Sequence, residues 1–287
     1  MAKLIIGCGY LGSRVLDLWL ARGEKVYAMT RSPARAAEWS QRGISPLVAD
    51  IAAPLNIEAP TDIDTVLFAV GFDAQAGRSI REVYVDGLAR VLAWLPATIR
   101  RFIYISSTGV YGSFQGEWID EIAPCDPQRE GGKACLAAEQ LLAKSPFADR
   151  SVILRLAGIY GPGRIPRAKD LLENKPLDAT PTGYLNLIHV ADAARIVLLA
   201  EKPTSHCLLV SDGAPVVRGE YYAELARLLN APPPQFAPAA NEPPVAKRGA
   251  ADKRISNARL ISELSPEFQF PDYRAGLSDA VKHWQAS

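Results

Sequence analysis

Residues 3–12 read Lys-Leu-Ile-Ile-Gly-Cys-Gly-Tyr-Leu-Gly, an apolar run that meets Gly7-x-Gly9-x-x-Gly12 without a spacer. Apolar residues then recur at helical spacing from Leu11 onward. A strand, a glycine turn and a helix in direct succession admit few folds. Gly7 permits a tight turn, Gly9 keeps side-chain atoms away from a pyrophosphate, and Gly12 lets the helix close on the strand. The helix N-terminus adds N–H groups and a positive dipole end. Gly7, Gly9, Tyr10, Leu11 and Gly12 are therefore expected to hold the phosphates of a dinucleotide.

The rest of the chain repeats this alternation. A first helix over 11–22 stops at Gly23, and a second strand covers 25–29. Ser32-Pro33 then opens a helix to about residue 41, with Ser32 as N-cap and Pro33 at the first helical position. Strands follow at 44–49, 64–70, 101–106 and 152–156, separated by helices at 79–95 and 133–144. Strands alternating with helices imply right-handed crossovers, hence an α/β fold with a doubly wound, Rossmann-type parallel sheet. Later segments are less regular: an extended stretch at 185–189, a helix at 189–200, a last strand at 207–210, and helices at 219–229, 257–263 and 273–284. We expect a nucleotide-binding domain of residues 1–160 plus about 185–211. A smaller, interleaved C-terminal substrate lobe takes about 161–184 plus 212–287. The proline-rich stretch Ala231-Pro232-Pro233-Pro234, with Pro238, Pro243 and Pro244, reads as a stiff connection.

Composition narrows the partners. With 48% apolar residues and a net charge of +1, the 287-residue chain has neither the basic block of a nucleic-acid binder nor an acidic tail. No run reaches membrane-spanning length, and the N-terminus enters a strand at once, so a cytoplasmic protein without membrane contact is expected. Cys8, Cys125, Cys135 and Cys207 lack metal-type spacing, so no metal and no disulfide framework is expected. Cys8 sits within the glycine turn and reads as a small packing residue.

The residues closing the strands bear on which nucleotide is bound. An acid after the second strand hydrogen-bonds the 2′-hydroxyl of NAD, but here the sequence is Thr30-Arg31-Ser32. Arg31 could pair with a 2′-phosphate, Ser32 could donate to it, and Arg35 could add charge, which favours NADP over NAD. Asp50 and Ile51, after the third strand, are placed for the adenine. Ala69, Val70 and Gly71 close the fourth strand on the same carboxyl edge, where ligands of such sheets bind.

Hydroxyls gather after the fifth strand in Ser106-Ser107-Thr108-Gly109-Val110-Tyr111-Gly112. Two further strings follow, Leu154-Arg155-Leu156-Ala157-Gly158-Ile159-Tyr160-Gly161-Pro162-Gly163 and Ile188-His189-Val190-Ala191-Asp192. With the glycine turn, these resemble the extended short-chain dehydrogenase/reductases, the NAD(P)-dependent epimerase/dehydratase group, in that group's order along most of the chain. The resemblance implies that Ser107 orients a substrate oxygen, that Lys133 hydrogen-bonds the nicotinamide ribose, and that Ser106, Leu156 and Gly158 flank the cofactor. It also implies a small polar substrate, nucleotide-sugar in class, near Thr108. Arg155, Arg164 and Arg254 are candidates for an anionic part of it. The basic residues Lys247, Arg248 and Lys253 fall in the same late stretch as Arg254, with Ser256 as N-cap of the following helix. The segment 79–95 resembles the group's dimer helix, compatible with a homodimer, although its apolar residues would also cover the sheet.

One position departs from the pattern. The group's proton-transferring Tyr lies four residues before the Lys, and that position is Arg129, which cannot lose its proton to act as a base. The turn also reads Gly-x-Gly-x-x-Gly, not Gly-x-x-Gly-x-x-Gly, as in atypical members. Tyr111, Tyr160 and Glu130 are the nearby groups that could move a proton, with Tyr111 carried as the catalytic candidate. His189 reads as a structural hydrogen-bonding residue. Two functions follow: an NADP-dependent oxidoreductase, epimerase or dehydratase, or a non-catalytic NADP-binding sensor or partner-binding module that lacks the catalytic Tyr.

Overall fold

The structure, a computed structural model, describes residues 1–237 and 252–284. Its centre is a seven-stranded sheet. β1 (Ala2–Ile6), β2 (Lys25–Thr30), β3 (Ser45–Val48), β4 (Ile63–Phe68) and β5 (Arg101–Ser107) occur in the chain alongside α1 (Gly12–Ala21), α2 (Pro33–Gln41) and α3 (Gly87–Trp94). β6 (Trp118–Ile119), α4 (Glu130–Leu142), β7 (Ser151–Leu156), β8 (Gly158–Tyr160) and α5 (Ala168–Leu172) follow. The remainder is β9 (Tyr184–Leu185), β10 (Leu187–His189), α6 (Val190–Leu199), β11 (Cys207–Val210), β12 (Val216–Val217), α7 (Arg218–Leu229), β13 (Arg254–Ile255), α8 (Ala258–Leu264) and α9 (Tyr273–Lys282). The large sheet has the order β11-β7-β5-β4-β1-β2-β3, the doubly wound arrangement expected from the alternation.

β1 pairs in parallel with both β2 and β4, and β2 with β3, in a register that sets Ile6 beside Met29 and Phe68, and Thr30 beside Val48. The carboxyl ends of these strands therefore share one edge. Gly7, Arg31, Ala49 and Ala69 are each the next residue along. All five residues of β1 are buried, which matches its apolar run and a position between two neighbours. On one face, Leu4, Val66, Phe68, Phe102 and Tyr104 pack with Leu88, Val91 and Leu92 of α3 and with Ala138 and Leu142 of α4. Each such large side chain contributes about 1.5–3 kcal/mol by leaving water.

Two compact units result. The first comprises Met1–Val110, Glu130–Arg155 and Ala194–Leu208; the second comprises Tyr111–Arg129, Leu156–Ala193 and Leu209–Ser287. The second takes in 111–129, which the sequence reading assigned to the nucleotide domain, because β6 pairs with β13. It also takes in 156–160 and 185–193, because β8 pairs with β10. Its core joins Tyr160, Leu171 and Leu187 to Tyr221 and Leu225 of α7 and Leu277 of α9. Short pairs such as β9 with β12 have too few residues to carry a periodic signal.

Three local expectations need correcting. The helix expected over 79–95 contains a π-helical turn, Glu82–Asp86, before α3. α4 begins at Glu130, three residues earlier than expected. The cap of α8 is Asn257, whose amide donates to the Ser211 carbonyl, while the Ser256 hydroxyl accepts the Ala258 N–H. The Ser32 cap of α2 is present, accepting the Arg35 N–H at 3.2 Å. Pro238, Pro243, Pro244, Lys247 and Arg248 lie outside the described residues. The four cysteines are unbridged. No helix among the described residues is long and apolar enough to cross a membrane.

Candidate nucleotide site and reaction edge

A cavity of about 390 Å³ opens along the carboxyl edge of the first unit, within the size range of small-molecule sites. Its lining takes Gly7 and Gly9 from the turn after β1, Thr30, Arg31 and Arg35 from the end of β2 and the start of α2, Asp50 and Ile51 from after β3, and Val70 and Gly71 from after β4. Gly7 adopts φ +93°, and a Cβ there would lie 2.5 Å from the Ala69 carbonyl and the Val70 nitrogen, so no side chain fits. A Cβ at Gly9 would meet no protein atom within 4 Å. The turn thus leaves clear space against its own backbone, as an approaching pyrophosphate requires. No side-chain cap closes the α1 N-terminus, and no acid occupies its first turn. These features fit a dinucleotide phosphate group.

The lining contributed after β2 is cationic. Among the described residues, the guanidiniums of Arg31 and Arg35 make no hydrogen bond or ion pair with protein. The carboxylates on the lining are engaged locally: Asp50 accepts the Ala52 N–H at 2.9 Å, and Asp73 accepts the Gln75 N–H at 3.0 Å. Thr30 accepts the Ser32 N–H. Ser32 itself is off the lining, as are Tyr10, Leu11, Gly12 and Ala69; Ala69 acts by packing against Gly7. Cys8 lines the cavity, and burial pushes its thiol up to about 11, which keeps it protonated and suits a packing role. The lining also includes Trp39, Phe72 and Arg78, none of which the sequence reading singled out. A capping-box string, Ser79-x-x-Glu82, was the available signal for Arg78, because it marks a helix start just after a strand end.

The hydroxyl residues expected to meet a substrate lie at the end of β5 in the first unit. Ser107 is the last residue of that strand, and its oxygen accepts the Gly109 N–H at 3.0 Å. Thr108 opens a 3₁₀ turn, Thr108–Val110, on which α4 packs. Lys133 projects from the first turns of α4, with its ammonium 2.9 Å from the Glu130 carboxylate; both side chains are exposed. Ser106 is buried and donates to Glu139 at 2.6 Å, so it supports the strand end from behind.

The other candidates have the following surroundings in the fold. The Tyr111 hydroxyl donates to the Asp120 carbonyl at 3.1 Å, and the residue is 2% exposed. Arg155 is buried and paired in bidentate fashion with Glu139, an internal ion pair in place of an anion site. Lys253 is buried and donates to the Tyr111 and Gly112 carbonyls, and burial pulls its ammonium down to about 8. Tyr160 is 1% exposed and raised well above the ordinary phenol range by burial. His189 accepts the Ala191 N–H on Nδ1 and sets Nε2 3.4 Å from Asp279. In the second unit, Leu156 is buried and Gly158 is exposed. Arg164 is exposed in the turn bridged by Gly161 and Arg164. Arg254 donates to the Gly116 carbonyl and stacks between Trp118 and Tyr184. No cluster of His, Cys, Asp and Glu suited to a metal occurs among the described residues.

The chain is similar to several known proteins. The family model "NAD dependent epimerase/dehydratase family" matches residues 4–205. Protein YeeZ of Escherichia coli K12 is 30% identical over 278 residues, covering 93% of this chain and 96% of its own. A 3-diazoavenalumate denitrifying reductase of a Streptomyces species is 27% identical, covering 96% and 99%. Among solved structures, the UDP-glucose 4-epimerase of Thermus thermophilus in complex with NAD superimposes with a TM-score of 0.77 at 19% identity, covering 99% and 98%; it speaks for the fold alone.

Proposed function

The chain belongs to the NAD-dependent epimerase/dehydratase family, and we propose that it is an NADP-dependent oxidoreductase, epimerase or dehydratase. The observation that carries the cofactor choice is the cationic wall. Arg31 and Arg35 line the cavity without protein partners among the described residues, at the strand end where an NAD-selecting acid would stand. A 2′-phosphate supplies the missing anion, through charge-assisted hydrogen bonds to guanidinium. Gly7 and Gly9 hold the pyrophosphate, Asp50 and Ile51 flank the adenine, and Lys133 reaches the nicotinamide ribose. When bound, the nicotinamide gives or accepts a hydride.

The substrate is a small polar molecule, with the sugar nucleotides as the class to test first. Ser107 and Thr108 orient its reacting oxygen by hydrogen bonding. Arg129 stands where the family's Tyr would act, so the proton moves through another group. That departure is the ground for a second reading, a nucleotide-binding module without catalysis.

Isotope exchange separates the two. The protein is incubated with 4-deuterated NADPH and a panel of sugar nucleotides and their keto derivatives. Label moving to a sugar supports the enzyme. Tight NADPH binding with no transfer across the panel supports the binding module.

A further inference from the structure

Arg78 stands on the nucleotide cavity in the connection after β4, and its nearest anion is a protein carboxylate, Glu82. Glu82 is held in place by a reciprocal capping box. Its Oε2 accepts the Ser79 N–H at 2.7 Å, and its own N–H donates to the Ser79 hydroxyl at 3.1 Å. These bonds from Ser79 hold the Glu82 carboxyl below its ordinary range, so it carries full charge at neutral pH. The second oxygen, Oε1, lies 4.0 Å from the Arg78 guanidinium, with both side chains close to half exposed. That is a loose pair, of a kind contributing at most about 1 kcal/mol. A pyrophosphate bridge carries two negative charges against the carboxylate's one, and its oxygens match the guanidinium fork.

The connection that carries Arg78 points to the pyrophosphate. Arg31 and Arg35 follow β2, on the wall of the 2′-phosphate. The connection carrying Arg78 starts at Ala69-Val70, whose backbone abuts the glycine turn at Gly7. Gly7 and Gly9 form the pyrophosphate wall, and Arg78 shares their cavity.

We propose that Arg78 is a latch residue, paired with Glu82 until a dinucleotide binds and then transferred to the pyrophosphate. The proposal rests on the cavity being a dinucleotide site, and it applies equally to NADP and NAD. Glu82 acts as a competing anion that lowers affinity, while its capping bonds keep the helix start intact.

The test is a double-mutant cycle read by calorimetric binding of ADP-ribose, NADPH and adenosine to the full chain. Arg78→Ala should weaken ADP-ribose and NADPH by about tenfold, the scale of one charge-assisted hydrogen bond, and adenosine by less than about twofold. Glu82→Gln keeps a capping oxygen but loses the charge, and it should tighten both phosphate ligands by about threefold. In the Arg78→Ala background, Glu82→Gln should have no further effect. Additive effects, or an unchanged Glu82→Gln affinity, overturn the latch. Equal weakening of adenosine by Arg78→Ala assigns Arg78 to stacking or folding and overturns it as well. Wild-type protein that binds neither NADPH nor ADP-ribose overturns the dinucleotide reading itself. Normal wild-type binding with flat variants overturns the latch alone.

Discussion

Arg155 and Glu139 lock together by two parallel hydrogen bonds, Nε to Oε1 at 3.0 Å and Nη2 to Oε2 at 2.7 Å, with both side chains at or below 10% exposed. Glu139 Oε1 also accepts the Ser106 hydroxyl. One carboxylate thus joins β5, α4 and β7 beneath the strand end that presents Ser107. Removing one member leaves a buried charge without compensation. Arg155→Met is expected to cost about 3–5 kcal/mol of stability in urea denaturation. A substrate-binding arginine would instead leave stability near wild type and weaken substrate alone.

Gly276 seats α9 on Tyr160, and a Cβ added at Gly276 would overlap the Tyr160 hydroxyl. That hydroxyl is buried without a hydrogen-bond partner among the described residues. Gly276→Ala is expected to lower stability by about 1–3 kcal/mol through overpacking. Tyr160→Phe in the same chain should recover only part of the loss, measured by thermal or urea unfolding, because the ring Cζ would still lie 2.7 Å from that Cβ. Failure of that rescue would mean that another contact limits the position.

Asp212 provides a pH signature. Burial raises its carboxyl from 3.8 to about 7, with Asp272 and Asp192 adding repulsion, and its Oδ2 has no partner among the described residues. The folded protein therefore holds this proton to about pH 7, whereas an unfolded Asp releases it near 4. Between those values the folded state binds more proton, so this group's contribution to stability falls as pH rises through that window. Asp212→Asn should flatten that slope and stabilise the protein above pH 7 by about 2–4 kcal/mol. Parallel stability profiles for the two proteins from pH 4 to 8 would remove Asp212 as their source.

The exposed pair of Lys133 and Glu130 predicts a split between affinity and stability. Surface pairs contribute about 0–1 kcal/mol, so Glu130→Ala should barely change unfolding. Lys133→Ala should weaken NADPH by about tenfold if the ammonium holds the ribose. Unchanged NADPH affinity in fluorescence titration would take Lys133 out of the site.

Where local chemistry decides structure, the sequence was a good guide. The glycine turn, the Ser32-Pro33 helix start and the apolar central strands follow from residues within one or two turns of each other. The partners of Tyr111, Arg155 and Lys253 lie on distant segments, and only tertiary packing reveals that each is buried. Arg155 and Glu139 are 16 residues apart, and Lys253 is 142 residues from Tyr111. Motif position put these side chains near a site; burial turned them inward. Arg78 is hard to read from sequence for the opposite reason. A single arginine before a helix has no periodicity to mark it, and its importance comes from the strand edge where the connection begins. The π turn at Glu82–Asp86 left no pattern that a 3.6-residue repeat would expose.

The central claim is that the wall after β2 reads a 2′-phosphate. Titration of wild-type protein and Arg31→Ala with NADPH and with NADH tests it most directly. Wild type should prefer NADPH, and Arg31→Ala should weaken NADPH by about tenfold or more while changing NADH by less than about twofold. Equal weakening of both nucleotides, or a wild-type preference for NADH, would contradict the assignment.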